Sequence, residues 1–272
     1  AGDRAFVSAL AGMPYENYIS TILPYTKGEN APLFYIDGSY ACIATADLWD
    51  LLWSEITPDV FKRFGDVIIN MFSDADPTYD LPKEQWFAAS MYGKESAYSE
   101  QLKRSCIVSL IMLTDREDSS GSSFSAQLSE TCKSWVRQIF EGIQSLNQWR
   151  TICPHLTEFM EAIPDVVLHR IENASTQLDD PFWGLFEAAD NPLFERSFYT
   201  HILWALENAV WDRRYASRAV SLLVRFAEKG FRYTISNCPI NSLYKIFCLW
   251  HPQGCFTLEE QKILLQNIIE NH

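Results

Sequence analysis

The sequence predicts an all-α protein, an irregular α-α superhelix of HEAT- or TPR-like helical repeats with one small β-hairpin near residues 33–43. Three observations lead there. Apolar residues recur at helical spacing along most of the chain. Helix start and stop residues punctuate those stretches. One Asp-Gly dipeptide stands between two β-prone runs.

The hairpin is Leu33 to Ile43, with Asp37-Gly38 at its tip, a pair that readily takes the positive φ angles of a two-residue turn. A lone hairpin is marginal in water, so it is expected to lean on the following helix, Ala46 to Trp53. Thr57-Pro58-Asp59 then supplies an N-cap, a proline at the first helical position and an early acid. The stripe Val60, Phe64, Val67 and Met71 follows. Leu102, Cys106, Leu110 and Leu113 repeat the pattern, as do Phe198, Ile202, Leu206 and Ala209, and then Val220, Leu223, Val224 and Ala227. Asp180-Pro181 and Asn191-Pro192 are further starts, and Gly93, Gly142 and Gly230 stand where C-caps belong. Thr257 to Glu260 reads as a capping box opening a stripe of Leu258, Leu265, Ile268 and Ile269. Such spacing makes roughly ten to twelve helices of about 10–18 residues.

The polar stretch from Thr114 to Ser123 divides the chain into an N-terminal helical unit with the hairpin (1–114), a linker (115–123) and a C-terminal helical-repeat unit (124–272). No strict repeat of about 33 or 34 residues is present, so stacked helix pairs of irregular length are expected.

With 47% hydrophobic and 14% aromatic residues, the chain of 272 is no disordered segment. Its net charge of −13, from 35 acids and 22 bases, argues against nucleic acid as a partner and favours a protein with a basic patch. The basic pairs Lys103-Arg104 and Arg213-Arg214 read as solvated helix faces. The longest apolar run, Cys106 to Leu113, falls far short of the roughly 18–20 residues a bilayer requires, so no membrane is expected. Seven scattered cysteines, an odd number, fit a reducing cytoplasm. The opening residues make a poor signal peptide, and Ala1 in place of methionine fits either an arbitrary chain boundary or a cut inside a longer chain.

Chemistry is sparse. The chain has no phosphate-binding glycine loop and no G-x-S-x-G elbow. Asp74 to Asp80 resembles a calcium loop, but Tyr79 replaces the turn glycine and Gln85 stands where a bidentate glutamate belongs, so it reads as a polar turn. Cys238, Cys248, His251 and Cys255 are zinc-ligand types at a spacing no common zinc site uses, and packing cysteines are the preferred reading. His155 and Glu158 share a helix face without the second motif that a di-iron site needs, and His169 and His201 read as ordinary core or surface histidines. Trp183, Trp204, Trp211 and Trp250 read as helix-packing residues. No catalytic, cofactor-binding or metal residue is assigned, and no cofactor is expected. The alternative is a self-contained helical hydrolase, acting on carbohydrate through paired carboxylates drawn from Asp179, Asp180, Glu187 and Asp190.

Two C-terminal segments carry a resemblance. They are Leu203 to Glu207 (L-W-A-L-E) and the pattern formed by Asn237, Pro239, Asn241, Ser242, Leu243, Ile246, Phe247, Trp250 and Pro252. Together they are similar to the helical-repeat region of large bacterial STAND-type NTPases of the antiviral defence class. Asp47 to Leu52, Phe64, Asp76-Pro77, Tyr98-Ser99 and Leu102 extend the similarity upstream. The resemblance implies a non-catalytic sensor or scaffold module that binds a protein, such as a phage protein, with any ATPase lying in a separate domain. Cysteines and His251 are no part of the pattern.

Overall fold

In the computed structural model, the described backbone covers residues 2–120, 123–187, 197–231 and 236–271, and the described side chains exclude those at 54, 116–120, 123–126 and 271. Helices dominate, and the only sheet among these residues is one two-stranded antiparallel hairpin, so the fold is all-α with a small β-hairpin. None of the helices among these residues is long and apolar enough to cross a membrane. The chain forms two compact units, residues 1–71 with 97–103, and residues 72–96 with 104–272.

The first unit begins with α1 (Gly2–Ala11) and α2 (Tyr15–Ile22), followed by a 3-10 turn at Leu23–Thr26. Strands β1 (Leu33–Ile36) and β2 (Ser39–Cys42) come next, then α3 (Thr45–Leu52) and the first part of α4 (Pro58–Ser73). Asp37 at φ 51° and Gly38 at φ 86° make the tight turn that the Asp-Gly pair implies. Its register pairs Ile36 with Ser39 and Leu33 with Cys42, and the Tyr35 and Tyr40 rings stand 4.7 Å apart across it. Outside the hairpin itself, β1 packs chiefly on the Leu23–Thr26 turn rather than on the expected α3.

The Thr57 hydroxyl accepts from the Val60 N–H at 3.3 Å, capping α4 as its sequence requires. The small core of this unit is Phe6, Phe64, Ile68 and Met71. Asp3 Oδ1 accepts from the Ser99 N–H at 2.8 Å, and Phe6 meets Tyr98 edge-on at 6.5 Å, which ties α1 to the 97–103 segment. Lys103, expected on a solvated face, is only 2% exposed and pairs with Glu100 at 2.8 Å.

The second unit holds most of α5 (Glu100–Ser120), then α6 (Ser123–Glu141), α7 (Leu146–Ile152), α8 (Leu156–Ala162) and α9 (Pro164–Thr176). After a 3-10 turn at Pro181–Phe186 come α10 (Tyr199–Ala209), α11 (Ala216–Glu228), α12 (Pro239–Ile246) and α13 (Leu258–Asn271). Within the expected linker 115–123, the described residues are helical. α5 runs through Ser120 and α6 starts at Ser123, because Arg116 and Glu117 are good helix formers despite their polarity. The Asn191-Pro192 start lies outside the described residues.

From α8 to α12 the helices pack mostly on the next helix or the one after it. α8 touches α9 and α10, α9 touches α6 and α11, and α10 touches α11 and α12. This is the neighbour order of stacked helix pairs, where each pair buries a face only against the next. Ser145 and Gln148 form a reciprocal capping box on α7, which fixes the entry of that short helix. The core is strongly aromatic. Phe182 lies edge-on or tilted against Trp149, Trp183, Phe186 and Phe226 at 5.1–5.8 Å, and Phe72, Phe140 and Phe159 form a second cluster. Arg218 joins α11 to α9 by a two-pronged contact with Glu172, each bond 2.8 Å, and a 3.0 Å contact with Asp165.

Cys106, Cys132 and Cys153 are buried, and burial pushes the Cys132 thiol up to about 12 and raises Cys153 as well. Cys42, Cys238, Cys248 and Cys255 are half-buried. At pH 8 a disulfide reagent such as dithiobis-nitrobenzoate should therefore modify these four in the folded protein. The three buried thiols should react only in denaturant, and labelling followed by peptide mapping reads the difference.

Candidate docking surface

The two sequence segments that carry the resemblance lie far apart in the chain and meet in the fold. In α10, Ile202, Leu203, Ala205, Leu206, Ala209 and Val210 are buried, which turns His201, Trp204, Glu207 and Asn208 outward. Trp211 follows at the helix end, 58% exposed, and Trp204 is 49% exposed. In α12 the proline at the first helical position pre-sets the backbone, and Pro239, Ser242 and Ile246 form the buried face. Ile240 and Tyr244 point out.

Glu207 joins the two helices. Its Oε1 accepts from the buried Ser242 hydroxyl at 2.6 Å and lies 3.7 Å from Lys245 Nζ. A hydrogen bond to a carboxylate from a buried hydroxyl is among the stronger kinds, so the motif glutamate and the motif serine set the α10–α12 geometry.

The chain beyond α12 folds back on the same framework. Gln253 N–H donates to Lys245 O at 3.0 Å, and Cys255 N–H donates to Val210 O at 3.1 Å. Gly254 passes so close to Val210 that a Cβ there would lie 2.5 Å from Val210 Cγ1, which leaves no room for a side chain. Between these anchors the loop projects Leu249 and Trp250, 66% and 88% exposed. Thr257 and Glu260 form the expected cap of α13. Glu260 Oε2 accepts from the Thr257 N–H at 2.8 Å, which with Arg213 holds its carboxyl below the usual range.

The packed face of α13 differs from the expected stripe. Gln261 is 4% exposed and donates to Ile246 O at 3.1 Å, and Leu264 and Ile268 follow it on the inner side. Leu258, Leu265 and Ile269 are exposed. The buried amide finds a free carbonyl at the end of α12, and that bond rotates the helix away from its most apolar face.

Trp204, Trp211 and Trp250 are therefore surface residues rather than the helix-packing residues expected. For the first two the signal was present: both lie off the stripe Phe198, Ile202, Leu206 and Ala209, and they are seven positions apart. Trp183 does pack, stacked against Phe231 with the Lys229 ammonium 4.5 Å above its ring.

The residues weighed for chemistry have other occupations. Among the described residues no three His, Cys, Asp or Glu side chains stand together in a way that could hold a metal, and Cys238, Cys248, His251 and Cys255 form no such group. Asp76 caps a 3-10 turn through the Thr78 N–H at 2.9 Å, and Asp80 pairs with Lys94. His155 is buried against Phe72, while Glu158 turns to Arg104 at 3.1 Å. His169 meets Asn173, and His201 meets Trp204 edge-on. Of the four carboxylates, Asp180 caps the Pro181–Phe186 turn and pairs with Arg170, Glu187 lies 4.0 Å from Lys83, and Asp179 is exposed. Asp190 lies outside the described residues.

No protein-family model matches this chain, and no curated protein or solved structure matches it.

Proposed function

We propose that this chain is a non-catalytic recognition or scaffold module of a larger bacterial STAND-type NTPase, and that it docks a protein partner through the surface built on α10, α12 and α13. The observation that carries the reading is the exposure of Trp204, Trp211 and Trp250 on a framework cross-linked by Glu207, Ser242, Cys255 and Gln261. Large aromatic side chains held on a rigid base are the usual energetic centres of protein interfaces. Leaving them in water is unfavourable by about 1.5–3 kcal/mol for each that a partner could cover. The net charge of −13 favours a partner with a basic patch, and the antiviral class makes a phage protein the natural candidate.

The reading is tested by comparing capture from phage-infected lysate by the wild-type chain and by the Trp204→Ala/Trp250→Ala variant. Both positions are exposed, so thermal stability should be unchanged, while capture should weaken at least about thirtyfold, as loss of an interface centre does. Equal capture by both, or a reading frame that does not extend into a P-loop NTPase, would overturn it.

A further inference from the structure

The stretch from Tyr15 to Thr57 contains not one buried side chain among those described. It is nonetheless rich in groups that elsewhere form cores, including Leu23, Tyr25, Tyr35, Ile36, Ile43, Leu51 and Leu52, all exposed. A segment with this much apolar surface in water is characteristic of an interaction site.

Two further features say what covers it. The first is the hairpin edge. Ile36 and Ser39 close the two-residue turn, and Ile43 N–H donates to Pro32 O at 3.1 Å. In an antiparallel ladder the pairs alternate, so Tyr40 and Cys42 direct their backbone N–H and C=O groups away from β1. Among the described residues these groups have no backbone partner, and β2 is an open edge of the kind that accepts an additional strand. The second feature is charge. Tyr15 to Thr57 carries Glu16, Glu29, Asp37, Asp47, Asp50 and Glu55 against the single base Lys27. A second copy of this segment would bring like charges together, whereas a cationic strand would find complementary ones.

We infer that β2 is a strand-addition site for an extended, cationic protein segment with alternating apolar side chains, whose backbone pairs with Tyr40 and Cys42 and whose basic groups complement the acids of the Tyr15–Thr57 stretch. The inference rests on the reading of the chain as a recognition module and assigns that module a second contact with defined partner chemistry.

The test uses the full chain and a short synthetic peptide of alternating lysine and valine, with its glutamate–valine counterpart as control. Amide hydrogen exchange followed by NMR should show the Tyr40 and Cys42 amides slowed at least about tenfold by the lysine peptide and unaffected by the control, with the effect weakening as salt rises. Both Glu29 and Glu55 are exposed, so Glu29→Lys/Glu55→Lys should keep the fold and reduce affinity at least about tenfold. Cys42→Pro removes one outward donor and should abolish the slowing at Tyr40; retention of the hairpin is read from the Ile36–Ser39 amides. Equal effects of both peptides, or slowing that leaves Tyr40 and Cys42 untouched, would overturn the inference. So would concentration-dependent protection of those amides without peptide, which would make a second copy the occupant. Loss of this effect with tryptophan-dependent capture intact removes only the hairpin site, and the converse removes only the α10–α13 reading.

Discussion

Replacing Phe182 by alanine should destabilise the protein by about 3–5 kcal/mol, the usual consequence of removing a fully buried aromatic ring. Phe182 is 0% exposed and contacts the rings of Trp149, Trp183, Phe186 and Phe226, so the cavity would open among four large, stiff neighbours that cannot collapse to fill it. Urea unfolding measures the effect as a lower midpoint with an unchanged slope. Phe182→Leu refills most of the volume and should cost roughly half as much. Equal losses for the two variants would mean that ring–ring geometry outweighs volume at this site.

The second large effect is expected at Arg170. Its Nε donates to Phe140 O at 3.2 Å, a carbonyl that also accepts from the Ile143 N–H at 3.3 Å, and its Nη2 donates to Ile143 O at 3.0 Å just past the end of α6. Its Nη1 lies 3.4 Å from Asp180 Oδ2, and its guanidinium stacks 4.8 Å from the Trp149 ring centre. The Asp180 side chain is only 8% exposed, so Arg170→Met would leave a buried carboxylate without its counter-charge and remove the guanidinium donor from Ile143 O. Such removals cost about 3–5 kcal/mol. Arg170→Lys should recover little of this, since one ammonium cannot span the three acceptors. Arg170→Met/Asp180→Asn should be more stable than Arg170→Met alone, because the amide can still cap the Pro181–Phe186 turn without a buried charge. Thermal unfolding of the three variants checks the order.

Local chemistry is what made parts of this fold legible. The Asp37-Gly38 turn, the Thr57 cap and the Thr257–Glu260 box each follow from residues within a few positions of one another, and all three form as read. The stripes of α5, α10 and α11 are likewise turned inward, with Leu102 and Ala227 half-buried at their ends and the other members buried. What sequence alone missed depends on distant partners. The face α13 presents is decided by the Gln261 bond to Ile246 O, fifteen positions away, and Lys103 is buried by groups its neighbours in sequence do not reveal. The two seven-residue helices α7 and α8 sit either side of a 3-10 turn at Cys153–His155, a division for which Pro154 is the one local signal. The joining of the two resemblance segments by Glu207 and Ser242 spans 35 positions, and no periodicity reports it.

The first unit is discontinuous in the chain, and this bears on the order of events during synthesis. Its helix α1 is made before the rest of the unit, and the groups that anchor it, Tyr98 and Ser99, are translated only after residues 72–96 of the other unit. At about 5–20 residues per second α1 therefore waits several seconds for its partners. A nascent chain arrested before Ala97 would expose α1 to proteases or chaperones, and one released beyond Lys103 would not.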